Sequence, residues 1–127
     1  MSALVWVAIG GALGAVLRYL VATGVQKKLA VPFPVGTLTV NVVGSFLIGL
    51  FLHYGVEHLR LPPEAKAFFV VGFLGAFTTF SSFSYEAVFL FLSGEWQKAV
   101  LYAVVTNLSC LGATVAGIAF ARFLAGL

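Results

Sequence analysis

The chain is predicted to be an all-α membrane protein with four transmembrane helices, on three observations. Hydrophobic residues make up 61% of its 127 residues and charged residues only 9%, where soluble domains carry about 25% charged residues. Long stretches lack charge altogether, as at 1–17, 29–56 and 67–85. Prolines and glycines punctuate them where turns are needed. A soluble globule of this size would need far more polar surface; a bilayer removes that need.

A helix crosses about 30 Å of hydrocarbon with about 20 apolar residues. The first span is expected at 4–23, ahead of Lys27 and Lys28. Pro32 and Pro34 mark a loop, and the second span follows at 35–52. Pro62 and Pro63 mark the next turn, before a third span at 67–92 that ends at Ser93-Gly94-Glu95. The fourth is expected at 99–121. No stretch between them is long enough to fold alone, so residues 1–127 form a single domain. The first apolar run is of full transmembrane length and has no basic segment before it, so a cleaved signal peptide is not expected.

Four spans put both termini on one side. Arg60, Lys66 and Arg122 fall on that side, and Lys27, Lys28 and Lys98 on the other. This balance leaves the positive-inside rule nothing to act on and points toward insertion in both orientations, although so small a count also arises by chance. The basic residues are strung along the chain rather than gathered on a face, which excludes nucleic-acid binding. Cys110 is the only cysteine, so neither an internal disulfide nor a paired-cysteine metal site is available.

Small residues recur at four-residue spacing in every span: Gly10/Gly14, Ser45/Gly49, Gly72/Ala76 and Ala113/Gly117. They predict close helix packing, because in lipid hydrophobicity does not drive association.

Polar residues at membrane depth are the functional candidates. Thr37, Thr39 and Asn41 lie in the second span; Asn41 offers two N–H donors, to an ion or to a neighbouring helix. The third span contains GFLGAFTTFSSFS at 72–84, with two glycines, two threonines and three serines. Hydroxyls compete with the backbone ladder and glycine eases its rupture, so a break in this helix is expected. Such breaks persist only when buried in protein or lining a polar cavity, and freed carbonyls there suit a cation. Phe77, Phe80 and Phe83 form one stripe at helical spacing, beside Thr78, Ser81, Ser82 and Tyr85. Aromatic stripes are ordinarily packing; beside hydroxyls, this one also fits a narrow path whose wall offers the electropositive ring edges to an anion. Tyr102, Thr106, Ser109 and Cys110 share a face of the fourth span. Arg18 either snorkels to the nearer surface or raises the anion potential of a vestibule. Glu86 is the only acid within a span and is harder to place; a carboxylate there either binds a proton or bonds to a neighbour near the helix end.

These segments resemble the Fluc (CrcB) family of small fluoride channels along essentially the whole chain: GGALGAVLRY at 10–19, GTLTVNVVGSFLIG at 36–49 and GFLGAFTTFSSFS at 72–84. The resemblance implies passive fluoride export by an antiparallel, dual-topology homodimer in a bacterial inner membrane, with two pores and a central structural sodium ion. It implies Phe80 and Phe83 along the fluoride path, with Asn41 at the pore end and Arg18 as the arginine closing the first motif. Ser81, Tyr102 and Thr106 fall on its polar track, and the carbonyls of Gly75 and Thr78 would hold sodium. Thr79-Phe80-Ser81-Ser82-Phe83 departs from the frequent TFSTF by exchanging one hydroxyl residue for another.

Two other classes compete. A small dual-topology, proton-coupled drug or cation exporter would need a carboxylate, typically in the first helix, and the first span has none. A structural subunit of a larger complex fits the glycines but leaves the Phe/Ser/Thr segment unexplained. No catalytic or metal-ligand constellation is present, so enzymatic activity is not expected.

Overall fold

The structure is a computed structural model that describes residues 2–126. Helix α1 (Ala3–Leu29) opens on Ser2, whose hydroxyl accepts from the Leu4 N–H. It closes at Ala30, which turns into the left-handed region at φ 49°. Lys27 and Lys28 lie in its last turn, where the helix dipole favours cations. Helix α2 (Val35–His58) widens to π-type hydrogen bonding over Phe51–His58. Pro63 is the first residue of α3 (residues 63–77), which needs no N–H there. Thr78 and Thr79 then take extended backbone, at φ/ψ of −89°/159° and −149°/119°. Helix α4 (Phe80–Leu92) starts afresh, capped by the Thr79 hydroxyl, which accepts from Ser82 N–H. Gly94, at φ 85°, turns the chain into α5 (Trp96–Ala125).

The described residues therefore hold four helical segments long and apolar enough to cross a membrane, the third made of α3 and α4 together. Each exceeds the apolar run predicted for it at one or both ends: 3–29, 35–58, 63–92 and 96–125 against 4–23, 35–52, 67–92 and 99–121. Hydrogen bonding does not stop where charge begins, and Lys27, Lys28, Glu57, His58, Glu64, Lys66, Lys98 and Arg122 all lie on the additional turns or just inside them.

Packing follows the small residues. Gly10 and Gly14 let α1 lie directly on the α3 backbone: a Cβ would stand 2.2 Å from the Phe68 carbonyl oxygen at Gly10, and 2.2 Å from that of Phe73 at Gly14. Gly49 and Gly117 do the same between α2 and α5. The α1–α3 and α2–α5 pairs are thus the two closest seams, and α1 also meets α2. Only 11% of the most apolar stretch of α1, and of α5, is buried within the chain, so the rest of those faces must meet lipid or another chain.

Candidate functional site

The segment between α3 and α4 is where backbone polar groups leave the helical ladder. Thr78 N–H and its hydroxyl both donate to the Leu74 carbonyl, at 3.0 and 2.9 Å. Thr79 turns away from the helix, and Asn41 of α2 receives it. Asn41 Oδ1 accepts from Thr79 N–H at 2.8 Å, and Asn41 Nδ2 donates to the Thr79 carbonyl at 3.0 Å. One amide side chain therefore stands in for a strand neighbour, satisfying both polar groups of an extended residue. Gly44, one turn further along α2, leaves room for the Thr78 methyl group, which would otherwise lie 2.2 Å from a Cβ.

These bonds release carbonyls. The N–H that would have served Gly75, that of Thr79, goes to Asn41. The one that would have served Thr78, that of Ser82, goes to the Thr79 hydroxyl at 3.2 Å. Gly75 and Thr78 line an open groove of about 320 Å³ together with Asn41, Thr79 and Phe80.

On α4, Phe80 is 76% exposed, whereas Phe83 is 8% exposed. Their ring centroids are 5.5 Å apart, and Phe83 in turn meets Tyr102 at 5.0 Å. Phe33, from the α1–α2 loop, also meets Tyr102, edge-on at 5.3 Å. Ser81 lies beside the capping hydroxyl of Thr79, 3.4 Å from it. Thr106, one turn beyond Tyr102 on α5, is buried, and its hydroxyl is the one buried side-chain polar atom among the described residues without a hydrogen-bond partner. A buried hydroxyl in that state is costly and suits a visiting ligand or water.

The candidates thus fall into two neighbouring groups. Asn41, Gly75, Thr78 and Phe80 share the groove, while Phe83 and Tyr102 continue from Phe80 into the bundle toward Thr106. Arg18 joins neither: its Nε donates to the Ala76 carbonyl at 2.9 Å.

The stripe expected from Phe77 through Phe83 is interrupted. Phe77 is buried on α3, stacked 6.0 Å from Phe73, because the extended residues Thr78 and Thr79 end the helical periodicity that would have carried it to Phe80. The same turn removes Thr78 from the stripe of Ser81, Ser82 and Tyr85. Glu86, unplaced by pattern, is held from both sides: Thr37 donates to its Oε2 at 3.0 Å and Tyr102 to its Oε1 at 2.9 Å. Its surroundings include a second recess of about 320 Å³, lined in part by Gln26, Phe33 and Tyr85. Thr37 and Glu86 lie 49 residues apart, so no local spacing connects them; their shared polarity at depth was the only available signal.

The model of the family described as CrcB-like protein, Camphor Resistance (CrcB) matches residues 5–118. Among curated proteins, the chain is 48% identical over 121 residues to the fluoride-specific ion channel FluC of Hahella chejuensis, covering 95% of each chain. It is 44% identical over 119 residues to the protein of that name from Magnetococcus marinus, covering 94% of this chain and 97% of the relative. The Aquifex aeolicus protein of that name is 48% identical over 101 residues, covering 80% of this chain and 82% of the relative. With a match that spans all four apolar helices and all three motifs read above, the chain belongs to the CrcB family.

Proposed function

We propose that this multi-pass membrane protein is a fluoride-specific ion channel that exports fluoride passively, and that it works as an antiparallel homodimer in a bacterial inner membrane. The observation that carries the reading is the interruption at Thr78–Thr79. There hydroxyls, the Asn41 amide and the Phe80 ring collect beside an open groove with no lining basic side chain, and Phe83 continues from Phe80 into the bundle. The names of the relatives supply the ion.

Fluoride must shed water to pass a narrow path. Ser81, Thr106 and Asn41 supply hydroxyl and amide groups to replace it, Phe80 and Phe83 supply electropositive ring edges, and Tyr102, whose hydroxyl proton is held by Glu86, flanks the path with its ring. None of these is a full counter-charge, so the ion is held weakly enough to leave. Fluoride enters acidified cells as neutral HF and dissociates inside. A membrane potential of 100 mV, negative inside, then favours outward movement of one charge by about 2.3 kcal/mol, which is roughly a 50-fold concentration ratio. No coupling group is required, and the carboxylate expected of a proton-coupled exporter is missing from α1.

Balanced basic residues and largely uncovered faces of α1 and α5 support pairing of two oppositely inserted copies. Gly75 and Thr78 fit a sodium ion at their junction: their carbonyls have lost helical partners, and no carboxylate stands among the groove's lining residues to favour a divalent ion. The ion would supply a fixed positive charge against carbonyls that otherwise face an anion route.

The reading is tested in a fluoride-sensitive bacterium expressing the chain with Cys110 replaced by serine and a cysteine added at its C-terminus. Growth in acidic fluoride medium should be restored, and the cysteine should label from both membrane faces. Growth no better than the empty vector would overturn the ion assignment; labelling from one face alone would overturn the antiparallel pair.

A further inference from the structure

We infer that Arg18 is a positioning residue: through its Nε–H it holds the end of α3 in place, and its charge is not what draws the anion. This rests on the channel reading above and specifies the work of one residue within it.

Gly14 and Arg18 stand four residues apart, on one face of α1. The close approach at Gly14 sets α1 against Phe73 of α3, so a side chain one turn further on meets the last turn of α3. There the Ala76 carbonyl has lost its helical donor, because Phe80, four residues on, belongs to the next helix. Arg18 Nε supplies the replacement at 2.9 Å in a partly buried position. Neither ion pair found among the described residues involves Arg18. A cation at this point faces the negative end of a helix dipole, which binds its charge locally. The Ala76 carbonyl is engaged by α1, while Gly75 and Thr78, whose carbonyls have no helical donor, line the groove. Two side chains thus hold the backbone here, Arg18 just before the interruption and Asn41 within it.

Substitution separates the N–H from the charge. Glutamine carries its amide nitrogen the same number of bonds from Cα as arginine carries Nε, without charge. Lysine keeps the charge but places a methylene there, and methionine keeps neither donor nor charge. Fluoride efflux is measured from liposomes holding wild-type protein and each variant, after size-exclusion chromatography confirms equal assembly. R18M and R18K should lose about tenfold in rate, the scale of one partly buried carbonyl left unserved. R18Q should recover to within about threefold of wild type, a rescue that neutral hydrogen bonding predicts and electrostatic attraction does not. As a second reading, wild-type flux should stay within about twofold as inert salt shortens the screening length from about 30 Å to about 8 Å. Lysine outperforming glutamine, or flux falling steeply with that salt, would overturn the inference. A wild type that carries no fluoride would instead overturn the channel reading on which it rests.

Discussion

Replacing Asn41 by leucine should reduce fluoride flux by at least about 30-fold, the largest single-residue effect we expect. The side chain makes both backbone hydrogen bonds of Thr79, at 2.8 and 3.0 Å, where the chain has no helical or sheet neighbour to make them. Leaving each unmet costs about 1–3 kcal/mol, so the pair amounts to about 2–6 kcal/mol. That is enough for Thr79 to seek another conformation and close the groove. Aspartate in its place keeps an acceptor for the N–H but presents a negative charge to the Thr79 carbonyl and to the anion, so N41D should be equally inactive. The matched control is Asn107, whose amide donates to Ala103 of its own helix from an exposed position. N107L should retain wild-type flux. Loss at Asn107 equal to that at Asn41 would remove the special role given to the interruption.

The second large effect concerns assembly of the bundle. At Gly14 an added Cβ would lie 2.2 Å from the Phe73 carbonyl oxygen, a backbone atom that no rotamer change moves aside. Glycine-to-alanine there should destabilise the protein by about 1–3 kcal/mol, the range for overpacking a tight contact, with loss of fluoride flux because α1 and α3 part. At Gly24 and Gly112 an added methyl group would meet nothing within 4 Å. Alanine at either should be neutral or stabilise by up to about 1 kcal/mol through helix propensity. Thermal unfolding in detergent distinguishes the two classes, and an unchanged midpoint for G14A would contradict the packing described.

How far each feature could be read from the residues depends on whether its cause is local. Apolar runs bounded by Pro32, Pro34, Pro62, Pro63 and Gly94 carry the four spans, because crossing length and turn chemistry are both local properties. The spacing of Gly10 and Gly14, and the positions of Gly49, Gly72 and Gly117, likewise announced contacts that do lie at helix seams. Glycines and hydroxyls at 72–84 marked the segment in which helical backbone is abandoned, but not the residue at which this happens. That choice belongs to Asn41, 38 positions away, whose amide serves Thr79 in the extended form. For that reason the expected Phe77–Phe83 stripe failed at its first member: a 3.6-residue period holds only while the helix continues. The Thr37–Glu86–Tyr102 link was illegible for the same reason, since its members come from three helices. Arg18 stood out by charge, yet its partner is a backbone carbonyl, and backbone atoms leave no trace in residue identity.

The most direct measurement is ion efflux from liposomes holding the purified protein, with potassium conductance supplied so that charge does not accumulate. Fluoride and chloride are followed with their respective electrodes under equal gradients. The proposed path, lined by the Asn41 amide, the Ser81 and Thr106 hydroxyls and the Phe80, Phe83 and Tyr102 rings, requires fluoride to leave rapidly while chloride is retained. Chloride efflux comparable to that of fluoride, or no fluoride efflux at all, would contradict it.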